Sequence, residues 1–446
     1  MREMKDSGIE WIGEIPSSWN LTKLKYCLEL CGSGTTPKSN NMDYYDGDIP
    51  WIQSGDLYDT NIIVDTSVKV TDSALRENSA LKVYQKDFLV IAMYGASVGN
   101  AAISKISACT NQACCCLTPN KDNCLDFLYY WVLYCKDNFL AKAVGGTQPN
   151  ISQIMIKNQW FLDIPYYEQL RIISHLNSEC KKLNQICNDI QHQIEILQEY
   201  KQSVITEAVT KGIRGNRPMK NSGVNWIDKI PADWDFKKIT WLLDYNSIYP
   251  IGDGDHGLIK ADDYLENGIP FIRVQNLGWG TNLQLDNIVY ISEELNHRIA
   301  NSTLHPNDII FAKTGATIGK TAIIPDSLPI SNTTSHVGKI TVDTKYYPKF
   351  IFHYLSSKIG YKLFWDIAQM KTTRPEVGIE EFKQVRILIP RDIEEQKEIS
   401  AYIEKKCEEI DNILADKQKQ LDTLTEYKNS LIYEYVTGKK EVPADA

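Results

Sequence analysis

The chain is written twice. Lys5-Asp-Ser-Gly-Ile-Glu-Trp11-Ile-Gly-Glu-Ile-Pro16-Ser-Ser-Trp19 returns 215 residues later as Lys220-Asn-Ser-Gly-Val-Asn-Trp226-Ile-Asp-Lys-Ile-Pro231-Ala-Asp-Trp234. Asp48-Ile-Pro-Trp51-Ile matches Gly268-Ile-Pro-Phe271-Ile, and the stretch from Ala92 through Gly95 and Gly99 to Ile103 matches that from Ala312 through Gly315 and Gly319 to Ile323. Thr147-Gln-Pro149 pairs with Thr373-Arg-Pro375, and Glu199-Tyr200-Lys201 with Val209-Thr210 pairs with Glu426-Tyr427-Lys428 with Val436-Thr437. The order is kept while the offset drifts to 227, as small loop insertions would make it. Self-similarity of this kind restricts the fold to two copies of one architecture, and 446 residues leave room for two to four domains.

Each copy holds two kinds of segment. From Leu21 to Pro165 and from Phe236 to Pro390, short β-branched and aromatic runs such as Phe88–Ile91 and Ile309–Phe311 alternate with Gly, Asn, Asp and Pro clusters, the pattern of a mixed α/β globule. A heptad seam follows each globule. In the first copy Leu176, Leu183, Ile190, Leu197 and Val204 form one line, beside Ile173, Cys180, Cys187, Ile194, Lys201 and Ala208. In the second copy Ile403, Ile410, Lys417, Leu424 and Leu431 form one line, beside Ser400, Cys407, Leu414, Leu421, Lys428 and Tyr435. Pro165 and Pro390 precede the seams, and Gly212 and Gly438 stand near their ends, where helix punctuation places them. A lone seam must be buried, so the two helices are expected to pair as a coiled coil of about 60 Å. The implied segments are 1–165, 166–212, 213–390, 391–438 and a tail 439–446.

No run of about 18 apolar residues occurs, and the first residues lack a signal-like apolar stretch. A cytoplasmic protein with no membrane partner is expected. Eleven cysteines, an odd number in a long chain, read as reduced thiols. The net charge of −9 gives no general attraction to nucleic acid, so any DNA contact must be local or aided by a basic partner.

Motifs for catalysis are weak. Gly315-Ala-Thr-Ile-Gly319-Lys320-Thr321 approximates a phosphate-binding loop, but it is one residue short between the glycines, and Ala322-Ile-Ile-Pro325 follows where a helix is required. A nucleotide-dependent enzyme using this loop is one rival reading. A coiled-coil scaffold that never touches DNA is another. Cys114, Cys115 and Cys116 lack partnering CxxC and His elements, and adjacent strand residues face opposite ways. The acidic residues around His256 lack the spacing of a calcium loop. No catalytic or metal-ligating residue is assigned.

Polar, aromatic and basic residues recur in the glycine-rich loops. The first copy offers Thr35, Thr36, Lys38, Tyr44, Tyr45, Gln53, Ser54, Tyr94, Gln148 and Asn150; the second offers Arg273, Gln275, Asn276, Lys313, Thr314, Lys320, Lys371, Thr372 and Arg374. Arg and Lys suit guanine edges, Asn and Gln suit adenine edges, and hydroxyls suit phosphates. The framework repeats (Trp11/Trp226, Pro50/Pro270, Gly95/Gly315, Pro149/Pro375) while these positions diverge: Gln53 stands opposite Arg273, Met93 opposite Lys313, Gln148 opposite Arg374. One scaffold carrying two surfaces suits the reading of two unlike elements.

Over nearly its whole length the chain resembles the specificity subunit of type I restriction–modification systems. The carrying motifs are Ser-Gly-x-x-Trp-Ile-x-x-Ile-Pro-x-x-Trp at the head of each copy, Gly32-Ser-Gly-Thr-Thr-Pro37, Ile49-Pro-Trp-Ile52, Tyr94-Gly-x-x-x-Gly99, Thr110-Asn-Gln112, and Glu-Gln shortly after the proline that opens each long helix. The resemblance implies an α+β protein: two target-recognition domains related by a pseudo-twofold repeat and joined by two long antiparallel helices. Each domain would read half of a split, asymmetric site in double-stranded DNA. It further implies a non-catalytic subunit that docks two methyltransferase subunits and the restriction subunits. S-adenosylmethionine, ATP and Mg2+ would then be used by those partners. The second copy departs from the pattern: Tyr249-Pro-Ile-Gly-Asp-Gly-Asp-His256 replaces the first glycine loop, and Asn332-Thr-Thr is expected opposite Asn111-Gln-Ala.

Overall fold

A computed structural model of the chain describes residues 2–58, 60–144, 149–280, 283–369 and 375–443. It divides into two compact units, Met1–Ile190 with Lys419–Ala446, and Gln191–Gln418. The division falls inside both long helices, so each unit is one globule plus half of each helix.

In the first unit a five-stranded sheet runs in the order Leu28–Ser33, Cys114–Pro119, Phe88–Ala92, Ala101–Ser104, Ile62–Ile63. A three-stranded sheet sets Tyr45–Ile52 between Cys109–Thr110, its parallel neighbour, and Lys69–Val70. Asn20–Lys23 pairs with Trp160–Asp163, tying the two ends of the globule together. Helices Leu125–Tyr134 and Lys136–Lys142 cover the sheet face that carries Leu89, Ile91 and Cys115.

The second unit repeats this plan. A four-stranded sheet runs Ile251–Asp253, Val337–Ile340, Ile309–Ala312, Thr321–Ile323. The three-stranded sheet sets Ile269–Ile272 between Val289–Ile291 and the parallel Asn332–Thr333. Trp234–Lys238 pairs with Arg386–Pro390 as the end-to-end clasp. Among the described residues the place of the fifth strand is taken by a parallel bridge, Trp279 to Thr321.

The repeated motifs acquire physical roles. Trp19 and Trp234 are fully buried, each under an arginine, Arg2 at 5.4 Å and Arg217 at 5.5 Å from the ring centre. Each arginine pairs with the Glu of the Glu-Gln motif, Arg2 with Glu168 and Arg217 with Glu395. The adjoining Gln caps a helix: Gln169 accepts from Cys124 N–H and Gln396 from Tyr347 N–H, both at 2.8 Å. Glu-Gln therefore fastens the start of each long helix to its own globule.

The long helices span Tyr166–Lys211 and Ile393–Val436. Neither holds Pro or Gly inside, and Gly212 and Gly438 follow with φ of +75° and +72°, the left-handed exit that glycine favours. The helices run antiparallel within each unit. In the first, His175 meets Tyr435 and Lys428 donates to Asn184 (2.8 Å); in the second, Lys201 donates to Asp411 (2.6 Å) and Arg214 pairs with Glu398 (2.8 Å).

Leu176, Leu183, Ile190, Ile403, Ile410 and Leu431 are buried along the seam, whereas Leu197 and Leu424 are half-buried. Val204 is half-buried and its neighbour Ile205 takes the interior place. A straight α-helix drifts about 20° per heptad against a strict seven-residue repeat. Over the four heptads from Leu176 that drift approaches the 100° or so that separates adjacent residues.

The triple cysteine is a strand. Cys115 joins the core under the helices, and Cys114 and Cys116 join the core on the opposite face. Burial pushes the thiols of Cys109 and Cys114 up to about 12, so both stay protonated.

Candidate nucleic-acid interface

In both units several strand ends converge on one rim. In the first globule Leu28–Ser33 and Phe88–Ala92 run the same way, with Cys114–Pro119 antiparallel between them. Segments 34–38, 93–97 and 111–113 therefore leave the sheet at the same edge. The parallel pairing of Ile52 with Thr110 brings Gln53 and Ser54 there too, and a bridge from Tyr94 to Asn150 adds segment 149–151. Cross-bonds join these segments: Thr36 Oγ1 donates to Gln112 Oε1 (2.6 Å), and Asn111 N–H donates to the Ile52 carbonyl (3.0 Å). Gly34 is required here, because a Cβ would lie 1.7 Å from the Thr110 carbonyl oxygen.

The second rim is assembled from 253–257, 273–276, 313–317, 334–336 and 375–377. Strand register corrects the alignment of the copies. Ile272 faces Thr333 just as Ile52 faces Thr110, so Thr333 is the counterpart of Thr110, and Thr334-Ser335-His336 stand where Asn111-Gln112-Ala113 stand. Asn332, expected opposite Asn111 from side-chain likeness, therefore lies two places out of register. The first glycine loop is likewise kept in register: Gly252-Asp253-Gly254-Asp255 takes the place of Gly32-Ser33-Gly34-Thr35, and a Cβ on Gly254 would lie 2.1 Å from the Thr333 carbonyl oxygen.

Of the residues singled out from the sequence, Thr36, Lys38, Tyr94, Asn150 and Gln275 are exposed on the rims. Thr35, Tyr45, Gln53, Ser54, Arg273, Thr314 and Lys320 are half-buried. Tyr45 donates to the Pro37 carbonyl (2.9 Å), Arg273 to the Asn287 carbonyl (2.8 Å), and Lys320 lies 5.9 Å over the Trp279 ring. Three residues are interior, which the sequence reading did not foresee. Tyr44 is buried and donates to Glu77 (2.6 Å). Asn276 is buried and donates to the Gln284 carbonyl (2.8 Å) while accepting from Arg273 N–H. Lys313 is buried and paired with Asp253. Their polar atoms are spent inside the protein. Gln148, Lys371, Thr372 and Arg374 lie outside the described residues.

The rims also expose groups that are not among the DNA-contact candidates drawn from the sequence, Gln112 on the first and His256 and His336 on the second. His256 Nε2 lies 3.3 Å from Asp253, and His336 Nδ1 shares a hydrogen bond with Thr314 (3.1 Å). Strand register, once known, is the signal that finds Gln112 and His336. The two surfaces differ in kind, the first offering amides, hydroxyls and a lysine, the second histidines and an amide around an ionic centre.

The loop resembling a phosphate cradle is a corner of this rim. Gly315–Thr317 is a single 3-10 turn followed by the strand Thr321–Ile323, and Gly95–Ser97 before Ala101–Ser104 repeats it. Gly315 and Gly319 have φ of +67° and +90°, Gly95 and Gly99 +71° and +80°. The glycines serve a shared turn that leads into a strand, where a phosphate-binding loop leads into a helix.

The model of the type I restriction modification DNA specificity domain matches residues 16–196 and 233–423. The chain belongs to the type I restriction–modification specificity subunits. It is 26% identical to the type I restriction enzyme MjaIX specificity subunit of Methanocaldococcus jannaschii, across 97% of this chain and 95% of that one. With the MjaVIII specificity subunit of the same organism the identity is 23%, across 96% and 94%. Its fold is similar to that of a chain in a solved structure described as the structural basis underlying complex assembly and conformational transition of the type I R-M system. That similarity has a TM-score of 0.69 at 13% identity, covering 96% of this chain and 99% of that one. As a specificity subunit the protein is a DNA-recognition component, and among its described residues no helix is long and apolar enough to cross a membrane.

Proposed function

We propose that the chain reads a bipartite, asymmetric site in double-stranded DNA, one half per globule, through the two rims. The observation that carries this reading is the repetition of one rim geometry with different side chains on it. Exposed Thr36, Lys38, Tyr94, Gln112 and Asn150 would meet one half-site, and Gln275, Thr314, His256 and His336 the other, in the major groove where base edges are distinguishable. The long helices would fix the distance between half-sites and dock two methyltransferase subunits, to which the restriction subunits add. Catalysis then lies in those partners: adenine methylation from S-adenosylmethionine, and ATP- and Mg2+-dependent cleavage, all in the cytoplasm. A subunit of net charge −9 needs such partners to neutralise phosphates.

The test is to map modified adenines with the full chain and its methyltransferase subunits, before and after deleting one heptad from each long helix. The deletion shortens a helix by about 10 Å, or about 3 bp at 3.4 Å per base pair. The preferred spacer should shorten by that amount, or binding should fail because the half-sites also rotate about the duplex. An unchanged spacer rules out the helices as the ruler.

A further inference from the structure

The two rims are fastened by different chemistry. In the first globule Gln153 Nε2 donates to Ser33 Oγ (2.5 Å), and Met93 is a buried apolar residue. In the second, Asp253 holds the place of Ser33, Lys313 that of Met93, and Glu376 that of Asn150. The Lys313 side chain is only 5% exposed. Its ammonium donates to the Asp253 carboxylate and to the Ser335 carbonyl (3.4 Å), and lies 3.7 Å from the Glu376 carboxylate. Its backbone completes the junction, with Lys313 N–H donating to the His336 carbonyl and Val377 N–H to the Lys313 carbonyl, both at 2.9 Å. One residue thus touches segments 253, 335–336 and 376–377. The other Asp253 oxygen faces His256, at 3.3 Å.

We propose that Lys313 is a positioning residue that sets the half-site preference of the second globule, acting through Asp253 and Glu376 on the loops that carry His256 and His336. This rests on the half-site reading above. A buried ammonium is tolerated only where its carboxylates are in place, so three rim segments share one low-energy arrangement around it. The first globule keeps the backbone part of the junction, with Met93 N–H donating to the Ala113 carbonyl (2.7 Å) and Ile151 N–H to the Met93 carbonyl (2.9 Å), but the buried Met93 side chain brings no charge to it. Loss of the lysine charge leaves Asp253 without its main partner and frees the loops without touching the first rim.

The experiment uses the full chain assembled with its methyltransferase subunits, on duplexes in which each half-site is varied one base at a time. Lys313→Met installs the residue of the first globule. It should lower discrimination at the second half-site by about tenfold, the scale of one displaced base contact, and leave the first half-site unchanged. Lys313→Arg should restore most of it, which a general loss of packing would not allow. Glu376→Gln, at a half-exposed carboxylate, should give a smaller loss confined to the same half. Equal loss at both halves, or undiminished discrimination at the second, overturns the proposal. Should Lys313→Met fail to fold, an unchanged profile in Glu376→Gln overturns it alone. The wild-type profile tests the half-site reading separately: without two-part discrimination there, that reading fails and this inference falls with it.

Discussion

The two globules share backbone registers, yet they fill equivalent places with opposite chemistry. Cys115 faces Ile91 in the first sheet, and the same pair of positions in the second is Gly338 facing Phe311, where a Cβ on the glycine would lie 2.5 Å from the ring. Volume is conserved while identity is not, as close-packed interiors permit. A stronger contrast lies one residue along. The first unit buries Phe88 and Cys116; the second buries Asp308 and Lys339 in their places, with Nζ 3.6 Å from the carboxylate and donating to the Thr303 carbonyl (2.7 Å). The lesson is that hydrogen-bond register and a few buried anchors hold this architecture, and the interior polarity is free to vary.

The largest effect expected from breaking that comparison is at Lys339. Both side chains of the pair are 1% exposed, and burial pulls the Lys339 ammonium below the ordinary lysine range against the pull of Asp308. Lys339→Met alone strands a buried carboxylate and should cost about 3–5 kcal/mol. The double change Asp308→Leu with Lys339→Met copies the apolar choice of the first unit and should recover nearly all of it. Urea unfolding of the four members of this cycle measures the coupling. A double variant as unstable as Lys339→Met would show that the second framework depends on the ion pair itself.

Next in size is an acid sensitivity confined to the second unit. His353 is buried, its Nε2 has no partner in the described structure, and burial together with neighbouring Lys349 pushes its pKa down to about 3. The imidazole is neutral in the folded chain and titrates near 6.5 when unfolded. Between those values the unfolded state binds the extra proton, so stability falls as pH drops, by up to about 1.4 kcal/mol per unit, or about 2 kcal/mol at pH 5. Tyr130 occupies the same helical position in the first unit and donates to Asn177 (2.9 Å), with no proton to gain. Hydrogen exchange at pH 7 and 5, corrected for intrinsic rates, should show the second unit losing more protection than the first. His353→Phe should remove the difference, and equal losses in wild type would sink the argument.

Much of the fold was legible because it is local. The duplication, the prolines and glycines that bracket the long helices, and the heptad seam all speak within a few residues of themselves. Along the seam Leu197, Val204 and Leu424 are half-buried, and beside Val204 accumulated helical drift gives the interior place to Ile205. The rim was legible in outline, since glycine-rich loops mark its corners, but side-chain burial was not. Nothing near Tyr44 or Asn276 in the sequence announces Glu77 or the Gln284 carbonyl, and a lysine between strand residues, such as Lys313 or Lys339, reads as solvent-facing until its carboxylate is found 60 or 31 residues away. The slip that set Asn332 opposite Asn111 has the same origin, because the register of a parallel strand is set by its neighbour, here Ile272.

The smallest difference between the copies is on the helices, where Lys201 and Lys428 each interrupt the apolar seam. Lys428 donates to the neutral Asn184, whereas Lys201 donates to Asp411 with both oxygens within 2.8 Å. Lys201 is largely covered but Asp411 is half exposed, so the ionic version should be worth less than about 1 kcal/mol over the neutral one. Asp411→Asn makes the second contact a copy of the first and should lower stability by that amount at low salt, with the loss fading at high salt as screening weakens the parent pair. Asn184→Asp is the reverse exchange and should gain a similar amount in the first unit. A loss of several kcal/mol at Asp411, or one insensitive to salt, would mean that this contact fixes the helix pairing itself; a small, screened effect places that task on apolar helix residues of the same unit's core, Ile205, Ile403 and Cys407.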